Sequence, residues 1–191
     1  MIGNDLIDLQ HVGAISTDRL SKMRKKVLRE SEQILLDAFF EKELSYWVAW
    51  AAKESVYKLE FQSNPVRYFR PKAIECRKIR LRNEDYLLEV SGRAGRYLVS
   101  IKLLERRIEA LALTRTKDFQ QVSSFLFKEE GSAWNSVQTK HIVAQILAKH
   151  FPERGFSFQR TPFPTLVNET QTIPLSISHH GAWLSIQLLV P

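Results

Sequence analysis

Residues 1–8 alternate apolar and polar positions as a short strand does, and close on Asp5 and Asp8. Residues 17–29 (TDRLSKMRKKVLR) read as a basic helix. From Ser31 the apolar spacing becomes strongly helical: Ser31 and Gln33 stand as a cap before Ile34, Leu35, Phe39 and Phe40. A further helix, SYWVAWAAKESVYKLEF, is rich in Ala, Leu, Lys and Glu and lacks Gly and Pro, and Asn64-Pro65 ends it. Over residues 72–113 the period shortens to two. AIECRKI, YLLEV, YLVSIKL and RIEALAL alternate between turn-forming stretches at 82–85 and 91–95, the pattern of a β-meander with one apolar face. Residues 114–132 read as a polar connector closing on Gly131. A helix is expected over Trp134–Phe151, with Val137, His141, Ala144, Ile146 and Leu147 on its periodic faces. Beyond Pro152 and Gly155 come FSF, a turn at Pro162 and Pro164, then PLSISHH and the alternating strand AWLSIQLLV.

This order predicts an α+β fold. Two halves, each a long helix packed on a small antiparallel sheet, would be related by a pseudo-twofold axis and end in similar strands (RIEALAL, WLSIQLL). The expected boundaries are 1–113, a linker over 114–133, and 134–191, together forming one compact unit.

Composition narrows the class. At 191 residues, 44% hydrophobic and 26% charged, the chain has enough apolar material for a core and is not of disordered type. No apolar run approaches the roughly 18 residues of a membrane span. The amino terminus, MIGNDLIDL, carries carboxylates where a signal peptide would be basic and then apolar, so a cytoplasmic address is expected. A single cysteine, Cys76, excludes a disulfide framework and a Cys-rich zinc site, and reads as a packed strand residue. The net charge, 28 − 21 = +7, calls for an anionic partner. That could be nucleic acid, although neither zinc-finger spacing nor an RNP-type motif is present.

Three clusters could carry chemistry. Asp5 and Asp8 beside Gly3 suit a hard divalent cation such as Mg²⁺, or a solvated strand end. Glu54 and Lys58 share a helix face one turn apart, with Lys53 adjacent. They are either a surface ion pair or, given Trp47, Trp50, Ala51, Ala52 and Val56 around them, charges lining a cleft. Ser176, Ser178, His179 and His180 precede Gly181. Neighbouring strand residues point to opposite faces, so Ser178–His179 is poor triad geometry; the segment reads as an anion-binding loop or a polar strand end.

Together these stretches resemble the 4′-phosphopantetheinyl transferase superfamily. Its G-x-D element stands as Gly3-Asn4-Asp5. Its W/F-x-x-K-E-[AS]-x-x-K helix stands as Trp50 to Lys58, and its I-S-H-S-G-like segment as Ile177-Ser178-His179-His180-Gly181. The middle motif, which fixes four residue types over nine positions, is the specific one. Residues 1–113 are similar to the second half of the larger, Sfp-like members and residues 134–190 to their first, so the chain reads as circularly permuted. It departs from the pattern at Ile7, where those members carry a second carboxylate. It departs again at Pro162-Phe163-Pro164, where a G-K-P turn would supply a lysine.

The resemblance implies transfer of the 4′-phosphopantetheine arm of coenzyme A to a serine of an acidic apo acyl or peptidyl carrier protein, serving fatty acid or polyketide synthesis. It implies Mg²⁺ as cofactor, held by Asp5 and Glu54. Glu54 would also act as the base and Lys58 as a catalytic, phosphate-contacting lysine. Ser178 and His179, with Lys58, would hold the coenzyme A nucleotide. Arg24–Lys26 is a candidate docking strip for the carrier protein. A monomer is expected, with no nucleic acid and no membrane among its partners. The alternatives are a degenerate member that binds coenzyme A or carrier protein without transfer, and a basic nucleic-acid-binding domain.

Overall fold

A computed structural model describes residues 1–65, 68–129, 134–152, 155–160 and 162–190. Gly131, on which the connector was expected to close, lies outside them. The order of elements begins with strand β1 (Ile2–Asp8) and helices α1 (Leu9–Val12), α2 (Thr17–Val27), α3 (Glu30–Asp37) and α4 (Lys42–Ser63). Strands β2 (Glu75–Arg82), β3 (Asp85–Ser91), β4 (Arg96–Leu104) and β5 (Arg107–Leu113) form the meander. The second half runs β6 (Val122–Lys128), α5 (Ser136–His150), β7 (Ser157–Gln159), β8 (Thr165–Val167), β9 (Thr172–His180) and β10 (Trp183–Leu189).

The α+β class holds, in two antiparallel five-stranded sheets of one topology, β1-β5-β4-β3-β2 and β6-β10-β9-β8-β7. In each, the first strand of the half lies beside the last, and a four-stranded meander fills the rest. Helix α4 covers the first sheet, burying Val48, Ala49, Ala52, Val56 and Leu59 against Leu88, Val90, Val99, Ile101 and Ala110. Each aliphatic side chain taken from water contributes about 1.5–3 kcal/mol. A smaller core around Val143, Ile146, Leu166, Ile173, Leu175, Leu184 and Ile186 holds the second sheet.

The structure departs from the sequence-based expectation at several places. The stretch 114–133, expected as a polar connector, contains a 3-10 turn (Thr116–Gln121) and then β6, which pairs with β10. None of the β6 side chains is fully buried, as suits an edge strand, so its apolar signal is weak. Strand β8 was not anticipated; it is three residues long. Helix α3 begins one residue before Ser31: the Glu32 carboxylate accepts the Arg29 backbone N–H at 2.8 Å, and Ser31 does not cap. Arg24 does not belong to a basic surface strip. It is buried, paired to Asp37 at 2.7 Å and bonded to Ser45, so only Lys25 and Lys26 of that strip face solvent.

Candidate active site at the seam between the sheets

Strand β1 is central to the molecule. One edge pairs with β5, Asp5 lying opposite Ala110. Its other edge runs beside β9, and there side chains take the place of a backbone ladder. The N–H groups of Asn4, Leu6 and Asp8 donate to Ser176 Oγ (2.8 Å), Ser178 Oγ (3.1 Å) and His180 Nδ1 (3.1 Å). These acceptors stand at every second residue of β9, so one face of that strand meets one edge of β1. The S-x-S-x-H spacing is therefore a docking comb within a strand, and not a loop. Asn4 Nδ2 adds a bond to Ser185 Oγ at 3.0 Å, and the Arg107 guanidinium lies 4.4 Å from the Trp183 ring centroid, so β5 and β10 also meet.

Gly3 sets the approach of β1 to α4. A Cβ there would overlap the Ser55 carbonyl oxygen and stand 2.7 Å from Leu59 N. Gln62, one turn beyond Lys58 on α4, accepts Ile2 N–H at 3.1 Å and donates to the Ile2 carbonyl at 2.7 Å, fixing the start of the strand. With β1 held on α4 in this way, Asp5 lies beside Lys58. The expectation that Asp5 ends its strand is thus corrected, since it sits in the middle. Asp8 ends the strand, and its Oδ1 accepts the N–H groups of Gln10 and His11 as the N-cap of α1.

Lys58 Nζ donates to Asp5 Oδ1 at 2.9 Å and lies 3.6 Å from Glu54 Oε1. Ser178 Oγ donates to the same Asp5 Oδ1 at 2.9 Å, while Asp5 Oδ2 is buried with no hydrogen-bond partner among the described residues. Burial pushes Glu54 above the ordinary carboxylate range and the Asp5 charge pushes it further; Lys58 and the Trp50 indole act in the opposite sense. Burial alone would lower the Lys58 ammonium, but Asp5 and Glu54 raise it above its usual value. Asp5, Trp50, Glu54, Lys58, Ser178 and His179 line a cavity of about 330 Å³. The structure thus brings Asp5, Glu54, Lys58, Ser178 and His179 together, although Ser178 faces β1 and His179 is exposed on the other side of β9.

Lys53 is absent from this cavity, contrary to the reading that all the α4 charges line a cleft. Its side chain is fully buried beneath α2 and α3, with Nζ bonded to Glu32 (2.8 Å), Val27 O (2.8 Å) and Pro71 O (3.1 Å). Glu32 also accepts Cys76 N–H at 2.8 Å. Burial and the Glu32 charge push the Cys76 thiol up to about 12, so it is an inert packed residue.

Two residues that sequence reasoning missed stand near His179. Lys140 and Arg160 line, with Thr139, Phe158 and His179, an adjoining cavity of about 130 Å³. Burial, Lys58 and Arg160 hold His179 below the ordinary imidazole value. Only their positive charge could have marked these two residues, because neither falls in a motif. Next to Lys58, a third cavity of about 220 Å³ has apolar walls from Tyr57, Phe61, Pro162, Phe163 and Ile177. A larger opening of about 720 Å³ lies against β6 and β10, reaches Asp5 and mixes Arg82 and Lys102 with Glu84, Asp85 and Glu109.

Among the described residues no group of three or more His, Cys, Asp or Glu side chains converges as a metal cage. Asp5, whose Oδ2 is buried with no partner among the described residues, and Glu54, whose charge the Asp5 carboxylate disfavours, nonetheless have the oxygen donors that a hard divalent cation takes while keeping waters in its other positions. No helix among the described residues is long and apolar enough to cross a membrane.

A family model of the 4′-phosphopantetheinyl transferase superfamily matches residues 1–100, which carry β1, α4 and the candidate residues Asp5, Glu54 and Lys58. No curated protein matches the chain. The chain belongs to the 4′-phosphopantetheinyl transferase superfamily.

Proposed function

We propose that this member of the superfamily transfers the 4′-phosphopantetheine arm of coenzyme A to a serine hydroxyl of an acidic apo carrier protein. The serine oxygen forms a bond to the phosphorus of the arm, the pyrophosphate P–O bond breaks, and adenosine 3′,5′-bisphosphate leaves. The serine proton passes to Glu54, directly or through water. The observation that carries this reading is the Asp5–Lys58–Glu54 cluster on the wall of the 330 Å³ cavity, in which one Asp5 oxygen is buried with no hydrogen-bond partner among the described residues.

Each residue has a task suited to its surroundings. Asp5 and Glu54 would hold Mg²⁺, which when bound neutralises pyrophosphate charge and polarises the phosphorus under attack. Glu54, on the cavity wall one helical turn from Lys58, is the carboxylate placed to take the serine proton. Lys58, kept charged by its two carboxylates, meets the charge that develops on the phosphate oxygens. His179, Lys140 and Arg160 offer donors and positive charge to the nucleotide phosphate, in place of the lysine missing at Phe163. The apolar walls from Tyr57, Phe61 and Phe163 suit the adenine or the pantetheine chain. An acidic carrier protein complements the net charge of +7. The halves stand in permuted order on this reading, which their shared topology accommodates.

The test is intact-mass spectrometry of an apo acyl carrier protein incubated with the protein, coenzyme A and MgCl₂. A gain of one phosphopantetheine arm, lost with EDTA and lost in Glu54→Gln, is expected. No gain across several carrier proteins, with coenzyme A still bound, would leave the degenerate binder as the reading.

A further inference from the structure

The Ser178 hydroxyl has one hydrogen, and the structure settles where it goes. Leu6 N–H points at Ser178 Oγ from 3.1 Å, so in that contact the oxygen accepts. The carboxylate of Asp5 has no hydrogen to give, so Ser178 donates its own to Oδ1 at 2.9 Å. Both partners lie on β1, and Ser178 is 4% exposed, leaving little room for a competing water. A hydroxyl committed in this way has no hydrogen left for a phosphate oxygen, which accepts only. The resemblance had assigned Ser178 to the coenzyme A nucleotide; its geometry points toward the carboxylate.

We infer that Ser178 is a positioning residue for Asp5. It fixes Oδ1 against β9 and leaves Oδ2 as the free, buried oxygen available to a divalent cation. This rests on the proposed metal role of Asp5. Lys58 binds the same Oδ1 at 2.9 Å, so among the described residues Oδ1 has two side-chain donors and Oδ2 has none. Without Ser178, Lys58 is the only side-chain donor to Asp5 among the described residues, and the carboxylate is free to rotate and chelate the ammonium with both oxygens. The second half of the chain thereby acts on a carboxylate of the first, 173 residues away in sequence. Ser176 is its internal control: it accepts Asn4 N–H in the same manner, with no hydrogen bond to a carboxylate among the described residues.

The experiment titrates Mn²⁺, a paramagnetic stand-in for Mg²⁺, into the wild type, Ser178→Ala, Ser178→Thr and Ser176→Ala. Free Mn²⁺ is read by electron paramagnetic resonance with and without coenzyme A, and coenzyme A affinity is measured separately. Ser178→Ala is expected to weaken Mn²⁺ about 10–100-fold, the range for loss of a residue that orients a metal ligand. Ser178→Thr, which keeps the hydroxyl, should recover most of that loss, and Ser176→Ala should bind Mn²⁺ as the wild type does. A folded Ser178→Ala with wild-type Mn²⁺ affinity overturns the inference, and so does one that loses coenzyme A alone. If Ser178→Ala does not fold, a Thr variant as weak for Mn²⁺ as Ser176→Ala is strong overturns it equally. Wild type that binds no Mn²⁺ in either condition sinks the metal reading of Asp5 and Glu54, and this inference with it.

Discussion

Lys53 offers the sharpest separation of structure from chemistry, because it precedes Glu54 in the motif yet faces the other way. Its ammonium is fully buried, with three partners: Glu32, Val27 O and Pro71 O. Lys53→Met keeps the length of the stem and removes the charge. It leaves the Glu32 carboxylate, also fully buried, without its cation, and strips a donor from two carbonyls. Breaking a buried pair by removing one partner costs about 3–5 kcal/mol. Two residual N–H donors, from Arg29 and Cys76, still serve Glu32, which argues for the lower half of that range. In a protein of this size each kcal/mol moves the melting midpoint by about 2–4 °C, so a fall of roughly 6–16 °C is expected. The assay is thermal unfolding by circular dichroism, together with urea midpoints, for Lys53→Met, Glu32→Gln and the double variant. The double variant should be more stable than the sum of the singles, because it removes the stranded charge. Lys53→Met with an unchanged midpoint but no transfer would refute the reasoning and return Lys53 to the cavity.

Three further outcomes are expected. Burial and Asp5 raise Glu54 above the ordinary carboxylate value, so the folded state holds its proton more tightly than the unfolded one and stability is lost as pH rises through that window. Metal-free Glu54→Gln should therefore melt at or above the wild type at pH 7–8 and lose that advantage near pH 4, in a pH series of melts. Gly3→Ala must displace β1 from the backbone of α4, at a cost of about 1–3 kcal/mol read from urea midpoints; an unchanged midpoint would mean that the approach is looser than described. His180 is held below its ordinary value by burial and His11, against the pull of Asp5 and Asp8, and its Nδ1 accepts Asp8 N–H. Its stabilisation is thus complete above pH 6.5 or so and is lost as pH falls through the depressed value. The stability gap between wild type and His180→Ala should shrink from pH 7 to pH 5, and a gap independent of pH would remove His180 as the titrating acceptor.

What the sequence determined by itself was local. Alternation of period two specified a meander over residues 72–113, where the strands run from Glu75 to Leu113, and an unbroken run of helix formers ending at Asn64-Pro65 specified α4. The same helix geometry put Trp50, Glu54 and Lys58 on one face, whatever that face met. The G-x-D, K-E-S-x-x-K and S-H-H-G elements were legible for the same reason, being short and fixed in spacing. Tertiary structure decided what those faces touched. Lys53 and Glu54 are adjacent in sequence but about 100° apart around the helix, and only the packing of α2 and α3 determines that one is entombed and the other opens on a cavity. Periodicity could show that Ser176, Ser178 and His180 share a side of β9. It could not show that this side docks on the unpaired edge of β1, because that contact joins positions 172 residues apart. Strand β6 escaped notice because an edge strand with no fully buried side chain leaves little hydrophobic contrast to read. Lys140 and Arg160 escaped because a cation's role depends on which neighbours converge with it, and that convergence exists only in the folded chain.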